Sequence, residues 1–419
     1  MVPAERMTVP FRCTTIHEVE MSTPSPTDSQ PCPEPRRGDD GLPVCRDGSG
    51  APVPRRPASA GSARLSRRAF GGMALAATAR LAPAAVPRRG IPLGFDTFAV
   101  RALGWNARQL VDHAATLGCD TLFITDFAPL EGHFDEASLA DLRSYAADRG
   151  VAVELGSWSI CPTSTTFKPD WGSAEEHLAL GIRMAKAVGS PAFRVILGNQ
   201  ADRLTPGGIE ARIADTVKVL RSQRSRAIDA GVRIAVENHA GDMQSRELKG
   251  LVEEAGPDFV GVNFDSGNAC WTLEDPVRAL ATLAPHVVTT SLRDTMLWPS
   301  DDGVVAQWTA MGEGCVDLPA FFDQFAATCR GVRVQIETIS GFAKRLPVYQ
   351  DDFWKPYPAA RAADLAAFLA VARRGRPIEP FKPPEGSDRR KAEQDYQLAE
   401  LARSITHCRD VLGLGVRAA

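Results

Sequence analysis

Along most of this chain, short apolar runs alternate with amphipathic segments, and several of the apolar runs stop on an acid. Val232-Arg233-Ile234-Ala235-Val236 gives way to Glu237-Asn238-His239, Phe259 to Phe264 stops on Asp265, and Val332 to Ile336 stops on Glu337. About five mostly apolar, β-branched residues in a row predict a strand buried on both faces, as in a parallel sheet. The same signal predicts strands over Leu93–Phe95, Thr121–Thr125, Ala152–Leu155, Phe193–Leu197, Val232–Val236, Val260–Phe264, Val287–Leu292 and Val332–Ile336. Helical stretches between them end at Gly118, Gly150, Gly189, Gly231, Gly256 and Gly331, where glycine closes a helix in the left-handed conformation. Ser173-Ala174-Glu175-Glu176 is a capping box, and Asp275-Pro276 and Asp317-Leu318-Pro319 start helices with an acidic cap and a first-turn proline.

Strict βα alternation requires a parallel sheet, and eight such units close into an α/β fold, the (β/α)8 TIM barrel, over residues 90–377. An open doubly wound sheet is the competitor, but no GxGxxG or GxxxxGK follows any strand to support it. In a barrel all strand exits share one mouth. Glu237, Asp265 and Glu337 are therefore expected to converge there, where a hard divalent cation can be held.

The chain ends read differently. Residues 1–60 are rich in Pro, Ser, Gly and Arg and poor in large apolar side chains, which predicts disorder or a start codon set too far upstream. Within 61–89, Ser66-Arg67-Arg68-Ala69-Phe70, a short apolar stretch and Ala82-Pro83-Ala84 form a twin-arginine-type signal, predicting an exported protein, periplasmic or extracellular. No other segment approaches the roughly 20 apolar residues that cross a bilayer, so no membrane partner is expected for the mature form. The barrel is expected to finish with a helix over 359–374. Residues 378–419 hold a Pro-rich connection and an amphipathic helix from about Arg389 to Val411, with Leu398, Leu401 and Ile405 on one face, to pack on the barrel or on a neighbouring subunit of a homo-oligomer.

A net charge of −3 gives no reason to expect nucleic acid as a partner. The nine cysteines include no CxxC pair, which argues against a zinc site, and Cys119, Cys161 and Cys270 fall in or beside strands, where buried thiols are expected.

Taken in order, Val236-Glu237-Asn238-His239, Asp265-Ser266-Gly267-Asn268, Ser291-Leu292-Arg293-Asp294, Gly312-Glu313-Gly314 and Ile336-Glu337 resemble the xylose isomerase-like TIM-barrel superfamily, the sugar phosphate isomerases and epimerases and their relatives. The resemblance implies a divalent metal held by Glu, Asp, His and Glu from strands five to eight. Glu237, Asp265 and Glu337 match three of these, and Ser291 stands where the histidine would be. Water, a swung-in His239 or weak binding would account for the fourth position. A carboxylate set without nitrogen favours Mn²⁺ or Mg²⁺ over zinc.

The resemblance also passes to Glu237 and Glu337 the proton exchange of the epimerase branch. Carboxylates can do this near neutral pH when burial raises a pKa. His239, Asn268 and Arg293 are candidate substrate contacts, with Trp158 and Trp298 offering faces to a sugar ring. Arg293 has a second candidate partner in Asp294, Arg194 is expected to pair with Glu154, and Glu313 is expected near the mouth. The implied function is an exported, metal-assisted isomerase or epimerase of a small-molecule sugar, keto-sugar or polyol, working through an enediolate. A lyase of the inosose dehydratase or 3-keto-glycoside type shares every named residue. A metal-free carbohydrate-binding barrel is the non-catalytic alternative.

Overall fold

The computed structural model describes residues 86–339 and 343–417; residues 1–60, and 61–89 apart from its last four positions, lie outside the described residues. Eight parallel strands form the barrel: β1 (Leu93–Asp96), β2 (Thr121–Ile124), β3 (Ala152–Ser159), β4 (Ala192–Ile196), β5 (Arg233–Glu237), β6 (Val260–Asp265), β7 (Val287–Ser291) and, after an insertion, β10 (Val334–Ile336). Each neighbour in sequence pairs with the next, and β10 pairs with β1 at Leu93↔Val334 and Phe95↔Ile336. The ring is sealed between β7 and β10 by a bridge at Leu292↔Ile336, with Leu292 N–H donating to Gln335 O and Glu337 N–H donating to Leu292 O. This is the (β/α)8 barrel that the alternating pattern predicts, and the strand positions agree to within a few residues.

The helix ends follow the expected chemistry. Gly118, Gly150, Gly189, Gly231, Gly256 and Gly331 all have positive φ. Ser173 and Glu176 cap each other's helix reciprocally, and Asp275 and Asp317 accept from first-turn amides. Cys119, Cys161 and Cys270 are buried free thiols, as are Cys329 and Cys408.

Two features depart from the expected layout. Between β7 and β10 the chain builds an antiparallel hairpin, β8 (Asp294–Ser300) and β9 (Gly303–Thr309), joined later by β11 (Ala343–Leu346). This three-stranded cap grows from strand exits, so it belongs to the mouth. The helix Ala362–Ala372 packs there and not on the barrel wall: Phe368, Val371 and Ala372 share a small core with Leu297, Val304, Ala306 and Leu346. The wall position beside β1 and β10 is filled instead by the 22-residue helix Arg389–Asp410. Its Leu401, Ile405 and Cys408 are buried in the main core, with Leu398 half-buried against it. Beyond that helix Asp120 accepts from the amides of Val416 and Arg417, while Arg417 donates to Cys119 O and Arg149 O. No helix among the described residues is long and apolar enough to cross a membrane.

Candidate active site

Side chains alternate along a strand, so the residue two positions before an inward-facing acid also points into the barrel. The interior is therefore layered. In a lower layer Glu154 of β3 reaches across to accept from Thr289 Oγ1 of β7, Gln335 Nε2 of β10 and Arg333 Nη1. One layer nearer the mouth sit Asp96, Glu237, Asp265, Ser291 and Glu337, from five different strand ends. Oxygens of Glu237, Asp265 and Glu337 lie within 4.8 Å of one another, close enough for one cation to touch all three. The three residues are 1%, 0% and 6% exposed.

Four buried acids in one layer repel each other unless cations or donors intervene, and here two arginines intervene. Arg194 Nε donates to Glu237 Oε2 at 2.6 Å, and Arg194 Nη1 donates to Ser157 O at 2.8 Å. Glu237 also accepts from Asn263 Nδ2 at 2.7 Å and Asn268 Nδ2 at 3.3 Å. Arg293 Nη2 donates to both Asp265 Oδ2 and Glu337 Oε2. The expected Arg194–Glu154 pair does not form, because β3 and β4 set Gly156 opposite Arg194, which lets the guanidinium run toward the mouth while Glu154 stays a layer below with Arg333. Arg293 does not pair with Asp294 either. That carboxylate accepts from the amides of Thr295, Gly312, Gly314 and Val316, so it holds the turn after β9. Glu313 points away from the acids and pairs with Arg403 of the long C-terminal helix at 2.8 Å.

These environments drive the carboxylates apart. Burial alone would raise Glu237, but the charge and hydrogen bond of Arg194 carry it below its ordinary value, so it stays ionised. Burial raises Glu337 and outweighs Arg293, with the charge of Glu237 adding to the rise. Burial likewise holds Asp265 and Asp96 well above the usual carboxylate range. Paired acids with such divergent environments are a common basis for assigning acid and base roles.

The other candidate residues fall into two groups. Asn268 Nδ2 donates to Asp265 Oδ2 at 2.6 Å and its backbone N–H to Asp265 Oδ1, so it positions the acids, leaving its own Oδ1 without a partner. His239 Nδ1 lies 2.6 Å from Gly198 O, the ring stands edge-on to Trp158, and desolvation lowers its pKa to about 4, which makes it neutral. Trp158 is anchored by donating from Nε1 to Thr166 O. Trp298 is half-buried on the cap hairpin, opposite Val305.

The sequence reading did not single out Asp96, Asn263, Trp271, Trp308 or Lys344. The first two obey rules already in use: Asp96 ends β1 as Glu237 ends β5, and Asn263 lies two residues before Asp265. The other three come from the cap and the segment beneath it. The Arg293 guanidinium lies over the Trp308 ring at 4.2 Å, Trp308 stacks on Trp271 at 4.2 Å, and Lys344 Nζ lies 3.9 Å from the far face of Trp271. Desolvation lowers Lys344 to about 7.

A profile of the xylose isomerase-like TIM barrel family matches residues 111–353, more than half of the chain. The chain belongs to the xylose isomerase-like TIM barrel family. It is 24% identical over 278 residues to the uncharacterized protein YihM of Escherichia coli (strain K12), covering 60% of this chain and 83% of that one. It is 21% identical over 230 residues to the 3-oxo-isoapionate decarboxylase of Pectobacterium atrosepticum, covering 54% and 76%. A D-psicose 3-epimerase crystallised in the presence of D-fructose superposes with a TM-score of 0.50 at 15% identity, over 77% of this chain and 100% of that one, a likeness of fold.

For this xylose isomerase-like barrel, whether the residues present fit a metal is decided by Arg293. The acidic triad has the spacing for a cation, but a guanidinium nitrogen already bridges two of its members and Arg194 neutralises the third. Among the described residues no histidine or cysteine joins this cluster, and Ser291 Oγ accepts from Asn263 Nδ2 at 3.1 Å and donates to Asp96 Oδ2 at 3.3 Å. As arranged, the donor set fits a guanidinium and not a further ion.

Proposed function

We propose that the protein is an enzyme of small polyhydroxylated ketones or keto acids, breaking a bond beside the carbonyl through an enediolate. The observation that carries this reading is the buried layer itself, in which Glu337, raised in pKa, stands beside a guanidinium and an ionised Glu237 at the barrel mouth. A carboxylate with raised pKa is the stronger base near neutrality. In its ionised state Glu337 takes the proton from the carbon next to the ketone. The C–H electron pair becomes the C=C bond of the enediolate, and the charge passes to the former carbonyl oxygen. Returning the proton from Glu337 to the neighbouring carbon gives isomerisation; epimerisation needs a second acid on the opposite face of the enediolate to protonate the same carbon, while Glu337 keeps the proton it removed. Glu237, locked by Arg194, Asn263 and Asn268, orients the site and keeps its negative layout fixed.

The similarity to a 3-oxo-isoapionate decarboxylase favours a second outcome at the same residues. With a 3-keto acid, the C–C pair left by departing CO₂ forms the enediolate, and protonated Glu337 supplies the proton to carbon. Mn²⁺ or Mg²⁺ on the three carboxylates is the competing source of positive charge, and it would require Arg293 to leave. Export through the twin-arginine-type segment 61–89 fits a non-phosphorylated substrate, and fractionation of cells expressing the full chain tests it.

Incubation with a panel of ketoses and 3-keto sugar acids in D₂O, followed by ¹H NMR, tests the reading. Deuterium at the carbon next to the carbonyl, with or without CO₂ release, is expected. A carbohydrate that binds but never exchanges a proton would instead make the barrel a binding protein.

A further inference from the structure

Arg293 has more structure around it than a salt bridge needs. It is 2% exposed and bridges Asp265 and Glu337 through one nitrogen. Its backbone is clamped by Ser266, whose Oγ accepts from Arg293 N at 3.0 Å and donates to Arg293 O at 2.6 Å. Its stem passes over Gly267, where a Cβ would lie 2.6 Å from both Cγ and Cδ, so any larger residue would displace it. Trp308 covers the guanidinium from the cap side at 4.2 Å. Strand end, helix start and cap thus each fix one part of this side chain.

The remaining donors point to a ligand. Arg293 Nε and Nη1 are buried and have no hydrogen-bond partner. A buried charged donor left unpaired is costly, and proteins keep such groups where an acceptor arrives with a substrate. The nearby Asn263 Oδ1 and Asn268 Oδ1 are buried acceptors without partners, the complement required by a substrate carrying hydroxyl groups. Nε–H and Nη1–H leave the planar guanidinium on different edges, so each can meet a separate substrate oxygen while Nη2 stays on the two carboxylates. A divalent ion on the three carboxylates would sit against this same guanidinium, and the two charges would repel in a low-dielectric layer.

We propose that Arg293 is the resident cation of the site: its free N–H groups donate to substrate oxygens and its charge offsets that of the enediolate, and the reaction runs without a divalent metal. This inference rests on the enediolate reading above, which the experiment tests separately.

Protein purified in chelator-treated buffer is titrated with Mn²⁺ and followed by electron paramagnetic resonance, while exchange in D₂O is measured with EDTA and with added Mn²⁺. The expected result is no wild-type Mn²⁺ binding tighter than about 1 mM and exchange that EDTA leaves intact. Arg293→Ala, which vacates the space between Asp265 and Glu337, is expected to bind Mn²⁺ at least roughly tenfold more tightly than wild type and to lose exchange by about 10³-fold in EDTA. Arg293→Lys keeps the charge and should fold even if the alanine variant does not, retaining resistance to Mn²⁺ with weakened exchange. Stoichiometric micromolar Mn²⁺ binding by the wild type, or exchange abolished by EDTA and restored by Mn²⁺, would overturn the proposal. If no substrate exchanges in either buffer, the enediolate reading fails, while the Mn²⁺ titration still decides which cation the site holds.

Discussion

Two polar layers lie one above the other inside this barrel, and they solve the problem of burial in opposite ways. In the lower layer a single acid, Glu154, meets a single cation, Arg333, and neutral donors from Thr289 and Gln335 complete its coordination. In the upper layer four acids share two arginines, and donors and acceptors are left over on Arg293, Asn263 and Asn268. The lower layer balances its charge and ties strands together. The upper layer holds more acids than cations and leaves hydrogen bonds unfilled, a state that costs stability and persists where a substrate completes it. Polarity inside a barrel is therefore a poor guide to chemistry, and a lone unpaired amide oxygen such as Gln335 Oε1 in the lower layer is little better, while an unpaired charged donor beside unpaired acceptors, as on Arg293, is a good one.

Substitutions can break that contrast. Glu337→Gln removes the proposed proton carrier and should lower solvent exchange by about 10²–10⁴-fold, with the thermal midpoint unchanged or raised because one like charge is gone. A loss under tenfold would move the base elsewhere. Arg194→Met leaves Glu237 buried with no cation and should destabilise the protein by about 3–5 kcal/mol, read from urea unfolding. A negligible loss would mean that Glu237 is not held ionised.

Glu274 is the limiting case, a buried acid that accepts only from Ser245 and Thr272. Burial raises its pKa to about 7, against 4.5 when exposed. The folded state therefore binds its proton more tightly, so its stabilising contribution is complete below about pH 4.5 and is lost as the pH rises through 7, by roughly 3 kcal/mol. The wild type should lose stability relative to Glu274→Gln between pH 5 and pH 8 in thermal melts; a constant difference across that range would contradict the shift. Smallest of all, Glu154→Gln in the lower layer should cost about 1–3 kcal/mol and leave the exchange rate unmoved. A drop in exchange at constant stability would place the functional layer at Glu154 and not at Glu337.

The acids were legible in the sequence for a physical reason. A parallel strand buried on both faces tolerates few charges, so the carboxylate that ends an apolar run, as at Glu237, Asp265 or Glu337, stands out. Asp96 follows the same rule on the shortest apolar run, Leu93–Phe95, where the contrast is weakest. Partner choice was not legible. Arg194 has Glu154 and Glu237 within reach, and the choice depends on which layer the guanidinium enters, set by the pairing of Gly156 with Arg194. The cap was hidden as well, since Val304-Val305-Ala306 is a short run with no flanking helix to set its role, and its strand partner β11 lies about forty residues downstream. The substitution of helices had the same origin: Ala362–Ala372 is apolar enough for a barrel wall, yet its buried face fits the cap.

The long helix Arg389–Asp410 and the tail that follows it have a consequence for how the molecule is made. The seam between first and last strands, and the Asp120 carboxylate that gathers the amides of Leu93, Val416 and Arg417, cannot be covered until the helix Arg389–Asp410 and the segment through Arg417 have left the ribosome. Synthesis thus delivers a barrel whose strands can already pair all the way round, with one seam still bare, before it delivers a covered one. Clipping the chain before Arg389 would leave that bare form as the end product, with an apolar stripe along its side for chaperones or proteases to find.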